Sequence, residues 1–181
     1  DKGLIKEIGL SNTGPKRLCF LYQKLKERGI KITSIQMQFS LLTKPTLEDE
    51  KIKNLCIEHN IEYLAYSPLA LGILAIKPNK SPKPRTFLRQ KLFQNILPKT
   101  IELRKLLTNI GEKYSASQAQ VALNWIRSHG AKPIVGIRNP LQAKDAISAL
   151  NWSLTNNEKE RLDFYRNKCL VNMPQNPFVS P

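Results

Sequence analysis

The sequence predicts an α/β chain assembled from parallel βα units, and three observations carry that prediction. A short β-rich apolar segment gives way four times to a longer segment with helical period, the alternation that parallel units require. The helical segments open on recognisable signals, among them Pro15, Asn139-Pro140 and Thr155-x-x-Glu158. A length of 181 residues at 41% hydrophobic content supports one buried core. A chain of this size can remove roughly 70% of its unfolded surface from water.

The first unit runs Leu4-Ile5-Lys6-Glu7-Ile8 as strand and turns through Gly9-Leu10-Ser11-Asn12. It then enters a helix near Pro15, whose Leu18, Leu21, Tyr22 and Leu25 share a face before Gly29 stops it. The second strand spans Ile30 to Phe39, and after a loop holding Pro45 a helix runs from Leu47 to His59 with Ile52, Leu55 and Cys56 in register. Ile61 to Tyr66 is the third strand, followed by Ser67-Pro68-Leu69-Ala70-Leu71-Gly72. Residues 77–100 read as a basic loop insertion, because Pro78, Pro82, Pro84 and Pro98 interrupt them. A helix then carries Ile101, Leu103, Leu106, Leu107 and Ile110. Another spans Ser117 to Ser128, buries Val121, Ala122, Trp125 and Ile126, and ends at His129-Gly130. Pro133 to Ile137 is the fourth strand, and Asn139-Pro140 opens a helix over Leu141 to Leu150. The last helix begins at Thr155 and packs Leu162, Phe164 and Tyr165. One domain over 1–171 is expected, with 172–181, which holds three prolines, as a surface tail.

Parallel βα units close in two common ways, as an open doubly wound sheet or as a (β/α)8 barrel. Neither GxGxxG nor GxxxxGK[ST] follows a strand, which argues against a dinucleotide or P-loop fold of the first kind. A barrel needs eight units in about 250 residues. Four strands supply half of one.

Charge and cysteine usage narrow the function classes. The 29 Lys and Arg against 14 Asp and Glu leave +15. Nine of those cations (Lys77, Lys80, Lys83, Arg85, Arg89, Lys91, Lys99, Arg104 and Lys105) lie between Lys77 and Lys105 with the single acid Glu102. Such runs are commonly solvated surface. Beside a ligand site, however, they attract phosphate. No helix-turn-helix, RRM or zinc signature accompanies the charge, and Phe87 and Phe93 form no RNP-like pattern, so specific nucleic-acid binding is not expected. Cys19, Cys56 and Cys169 are odd in number, far apart and without metal-ligand spacing, as fits small buried apolar residues in a reducing cytoplasm and no metal site. No run of some 18 apolar residues predicts a membrane span, and the start shows no secretory signal. The chain lacks an initiator Met, which leaves room for residues before Asp1.

Sites in barrels lie at the carboxyl ends of the strands. Those positions hold Ser11 and Asn12, then Gln36 and Gln38, then Tyr66 and Ser67, then Arg138 and Asn139. Amide side chains both donate and accept, an aromatic offers a flat face, and a guanidinium forks onto phosphate. Together they suit a nicotinamide nucleotide, although strand ends are often polar simply because loops are.

Five ordered segments complete the picture: Ile8-Gly9-Leu10-Ser11-Asn12, Ile35-Gln36-Met37-Gln38-Phe39-Ser40-Leu41-Leu42, Tyr66-Ser67-Pro68-Leu69-Ala70-Leu71-Gly72, Ser117-Gln118-Ala119-Gln120-Val121-Ala122-Leu123-Asn124-Trp125 and Pro133-Ile134-Val135-Gly136-Ile137-Arg138-Asn139. In this order and spacing the chain resembles the aldo-keto reductase family up to about Leu162. The basic insertion and Gln94-Asn95-Ile96-Leu97-Pro98 are most similar to its plant and photosynthetic-bacterial branch. The resemblance implies a TIM barrel of which this chain supplies the last four βα units and a C-terminal helix. It also implies NADPH-dependent reduction of an aldehyde or ketone. By position it assigns Ser11, Asn12 and Gln36 to the nicotinamide carboxamide and Tyr66 to stacking on the ring. Ser67, Leu69 and Gly72 fall to the pyrophosphate loop, and Arg138, Asn139, Gln142 and Asp145 to the adenosine end, with Arg138 on the 2′-phosphate of NADP. Asp145-Ala146 stands where members often carry Glu-Asn. The family's Asp, Tyr, Lys and His tetrad finds no counterpart in this chain. His59, His129, Tyr63 and Tyr114 read as structural, so the isolated chain is expected to be inactive. A non-catalytic half-barrel that pairs with an N-terminal half or with itself is the alternative expectation.

Overall fold

The computed structural model of the chain describes residues 3–169, 171, 173 and 174. Strands β1 (Ile8–Ser11), β2 (Ile32–Gln38), β3 (Glu62–Tyr66) and β4 (Lys132–Pro133) form one sheet in the order β1-β2-β3-β4. Each neighbouring pair is parallel. The crossovers carry helices α1 (Pro15–Lys26), α2 (Leu47–Glu58), α3 (Phe87–Lys99), α4 (Ile101–Lys113) and α5 (Gln118–Ser128), and α6 (Pro140–Ser148) and α7 (Asn156–Lys168) follow the last strand.

Side chains alternate across the strands, and the two faces of the sheet are unlike. Ile35, Met37, Tyr63 and Ala65 are buried with Leu18, Ile52, Leu107, Val121, Trp125 and Leu162 in the core. The opposite positions, Ser11, Ser34, Gln36, Gln38 and Tyr66, are at least partly exposed. A polar face backed by an apolar helical layer is what a ligand site at the strand ends needs. The caps that hold the helices are local: Thr155 accepts from the Glu158 amide while Glu158 accepts from the Thr155 amide, and Thr46 with Asp49 does the same for α2.

Three expectations shift. β1 begins at Ile8, leaving Leu4 and Ile5 84% and 76% exposed. β4 holds two residues rather than five: beyond the Ile134 amide bond to the Ala65 carbonyl, β3 ends and Ser67 turns away with φ 53°, so the extension finds no ladder partner. The insertion over 77–100 is a loop only as far as Thr86, because α3 starts at Phe87 and buries Phe93, Ile96 and Leu97. Pro98 is tolerated because it sits in the last turn, where its missing N–H costs a single bond. The Thr100 hydroxyl stands 3.1 Å from both the Ile96 and Leu97 carbonyls at the break into α4. Of the expected tail over 172–181, Met173 is buried and the Pro174 carbonyl accepts from Gln38 Nε2 at 3.1 Å. The rest of that tail lies outside the described residues.

Candidate functional site

Four of the sequence-predicted residues meet at the mouth formed by β1, β2 and β3. Ser11 pairs with Gln36 in the ladder, and the Asn12 amide donates to the Gln36 carbonyl at 3.0 Å. Asn12 takes a left-handed φ of 51°, a conformation Asn accepts more readily than most residues, and this turns its side chain toward β3. There Tyr66 Oη donates to Asn12 Oδ1 at 2.9 Å, bridging the two outer strands over β2. With Oδ1 engaged, the Asn12 amide nitrogen is left as the donor. The Ser11 hydroxyl and the Gln36 carboxamide make no hydrogen bond among the described residues. The mouth therefore offers side-chain donors and acceptors next to one aromatic ring.

Ser67, Leu69 and Gly72 lie in the turn that follows. Ser67, Ala70 and Leu71 have φ of 53°, 48° and 58°, and Gly72 has 90°. Left-handed conformations at side-chain-bearing residues cost energy and persist only where surroundings fix them. Ala70, Ile73 and Leu74 are buried beneath, and the Ala70 and Gly72 amides close on the Ser67 and Leu69 carbonyls at 2.9 Å. Arg89 of α3 reaches back to this turn, where its Nη2 donates to the Leu71 carbonyl while its buried Nε has no partner among the described residues. Sequence reasoning counted Arg89 only as charge, because a loop was expected there and a loop assigns no facing direction.

Arg138, Asn139 and Gln142 form one unit at the start of α6. Asn139 Oδ1 accepts from the Gln142 amide, and Gln142 Oε1 accepts from the Arg138 amide, both at 2.9 Å. The exposed guanidinium of Arg138 makes no bond among the described residues. Asp145 is placed elsewhere: its two oxygens accept from Ser117 Oγ and Gln120 Nε2, each at 2.7 Å, tying α6 to α5. A ligand contact through that carboxylate would have to displace both bonds.

The histidines, and the tyrosines read as structural, pack in or against the core. Trp125 Nε1 donates to Asp163 Oδ1 at 2.8 Å, and His129 Nε2 stands 3.0 Å from the same oxygen. His59 stacks on Tyr22, Tyr63 is buried, and Tyr114 stacks on Trp152. Burial pushes the Cys56 thiol up to about 11, which suits an inert apolar role. A cavity of about 450 Å³ between the loop after β2 and the end of α7, lined by Leu41, Thr43, Arg166 and Cys169, touches none of the predicted site residues. Among the described residues no group of His, Cys, Asp and Glu could hold a metal, and no helix is long and apolar enough to cross a membrane.

The sequence pattern of the Aldo/keto reductase family matches residues 1–166. The chain is 39% identical over 178 residues to a chloroplastic pyridoxal reductase of Arabidopsis thaliana, covering 98% of this chain and 48% of that protein. It is 29% identical over 162 residues to an NADPH-dependent alpha-keto amide reductase of Saccharomyces cerevisiae, covering 88% and 44%. Among solved structures, a glycerol dehydrogenase from Gluconobacter oxydans superposes with a TM-score of 0.76 at 24% identity, over 99% of this chain and 54% of that one. A thermostable aldo-keto reductase crystallised with the inhibitor epalrestat gives 0.65 at 17% identity, over 91% and 50%. These likenesses show the (β/α)8 fold, and the chain spans about half the length of the relatives it matches.

Proposed function

Because the chain belongs to the aldo/keto reductase family, we propose that it carries the nicotinamide-nucleotide site of an NADPH-dependent reductase acting on an aldehyde or ketone. The observation that bears most weight is the mouth itself: Tyr66 locked to Asn12 at 2.9 Å, beside Ser11 and Gln36, whose side chains have no hydrogen-bond partner among the described residues. In this reading Ser11, Asn12 and Gln36 hold the carboxamide in plane and Tyr66 lies against the ring. The turn holding Ser67, Leu69 and Gly72 borders the pyrophosphate. Arg138 reaches the 2′-phosphate from the start of α6, where Asn139 and Gln142 hold its backbone in place. Asp145 acts here through the α5–α6 brace instead of by touching the nucleotide. When bound, the cofactor supplies a hydride to the carbonyl carbon. The residues of this chain bind and orient it. No residue is assigned to proton donation, and turnover by the chain alone is not expected.

Relatives whose names specify a pyridoxal and an alpha-keto amide as substrates are both carbonyl reductases by name, which supports the substrate class. Free cysteines support a reducing compartment, and cytoplasm is the reading they favour. The test is nucleotide binding followed by quenching of Trp fluorescence. Arg138→Ala is expected to weaken NADPH about tenfold, a loss of about 1.4 kcal/mol, and to leave NADH unchanged. Equal loss for both nucleotides would remove Arg138 from the 2′-phosphate, and no saturable binding by the unaltered chain would sink the reading.

A second reading, association into a closed barrel, is supported by the edges of the sheet. Neither β1 nor β4 has an outer neighbour among the described residues. Ile134 and Ile137 beside β4, and Leu141, Ile147 and Leu150 on and after α6, are 42–79% exposed. A set of N-terminal βα units or a second copy would cover them.

A further inference from the structure

We propose that Arg104 is a positioning residue for the cofactor's phosphates, a buried cation that fixes the basic loop 77–86 beside the turn at Ser67–Leu74. The inference rests on the nucleotide reading above and names how the cations around that site are held in place.

Arg104 lies on α4 and is 1% exposed, although by sequence it belongs to the basic stretch. A buried guanidinium normally finds a carboxylate. Among the described residues Arg104 has none. Its donors go to Ile76 O at 3.2 Å, Lys77 O at 2.9 Å, Leu97 O at 3.0 Å and Thr100 Oγ1 at 3.3 Å. Three of these four partners are main-chain carbonyls, so it is the path of the chain that is being held. Two of the carbonyls mark where the basic loop leaves the turn after β3, and the third lies in the last turn of α3, where the chain comes back. The C-terminal carbonyls of α3 compensate the buried charge as a helix end does.

Between those ends lie Lys77, Lys80, Lys83, Arg85, Arg89 and Lys91 and no acid. The excursion is tied again at its middle, where Gln90 Nε2 donates to Pro84 O at 2.8 Å and Arg89 to Leu71 O. Arg104 thus holds the loop at its root, and Arg89 ties the start of α3 back to the strained turn. A cation array held in one place binds an anionic dinucleotide without losing conformational freedom at the moment of binding. An apolar residue at 104 could fill the volume but would leave the Ile76 carbonyl without a donor among the described residues, and would leave the Lys77 and Leu97 carbonyls only their local bonds from the Lys80 amide and from Thr100.

The test compares Arg104→Leu and Arg104→Lys with the unaltered chain by hydrogen exchange without nucleotide and by NADPH binding at several salt concentrations. In Arg104→Leu the amides of 77–90 are expected to exchange about tenfold faster while β2 and α7 keep their protection. NADPH is expected to bind about tenfold more weakly, mainly through faster release, with a shallower dependence on salt. Arg104→Lys, which keeps the charge but cannot span all the carbonyls, is expected to fall between the two. If Arg104→Leu does not fold, Arg104→Lys decides alone, and unaltered affinity and salt dependence in it overturn the proposal. Unchanged exchange over 77–90, or faster exchange with unchanged NADPH affinity, overturns it as well. Absence of NADPH binding by the unaltered chain is a different outcome, which removes the nucleotide reading itself and this role with it.

Discussion

His129 shows how far a single side chain can be pulled from its ordinary behaviour by where the chain puts it. Burial against Phe39 and Trp125 lowers its pKa to about 4, outweighing the Asp163 carboxylate that favours the protonated ring. The unfolded chain takes up that proton near pH 6.5 and the folded chain only near 4, so the stabilisation is present above 6.5 and lost as pH falls through that window. His129→Asn is expected to flatten this stretch of a urea-unfolding stability profile and, by giving up the Asp163 contact, to cost about 1 kcal/mol at pH 7. A profile with the same slope would assign the acid sensitivity to other groups. Ser11, Asn12, Gln36 and Tyr66 could be named from sequence because strand ends fix which side chains face one mouth. The bond between Tyr66 and Asn12, 54 residues apart, could not.

Among the helices, α4 carries the sharpest conflict between local preference and packing. A Cβ at Gly111 would lie 2.5 Å from the Ala116 carbonyl, which turns back over the helix end and whose amide bonds to the Gly111 carbonyl at 2.8 Å. Helix propensity alone favours Ala there by about 1 kcal/mol. The contact should cost about 1–3 kcal/mol. Gly111→Ala is therefore expected to lower stability by roughly 1 kcal/mol net in thermal unfolding, and a rise in Tm would show that the turn yields. The caps at Asn139 and Thr155 were legible because they are read over three residues, and both accept the expected amide; Ser117 caps α5 in the same way. Helix α3 was not legible. Its stretch opens with three prolines, and the signal that overrides them is the burial of Phe93, Ile96 and Leu97, which depends on what they pack against.

For the molecule as a whole, the sheet edges and the charge act against each other. Exposed apolar groups beside β1 and β4 favour association, while +15 opposes it over distances set by the Debye length. Self-association of the chain is thus expected to rise with salt, from monomer near 20 mM to larger species near 500 mM by light scattering, as the screening length drops from roughly 20 Å to about 4 Å. A monomer at both concentrations would mean that the edges are protected. Arg104 shows that part of the formal basic stretch is not surface charge at all.

The sequence by itself determined the parallel βα order, the helix caps, the family and the four polar residues at the mouth, because each depends on spacing along a few residues or on motifs in fixed order. Tertiary structure decided that α3 is a helix, that β4 stops after two residues, that Asp145 braces α5 and that Arg104 is buried under the basic loop. Asp145 meets Ser117 and Arg104 meets Ile76 across 28 residues each. Contacts of that reach depend on how elements pack, and no local pattern records them.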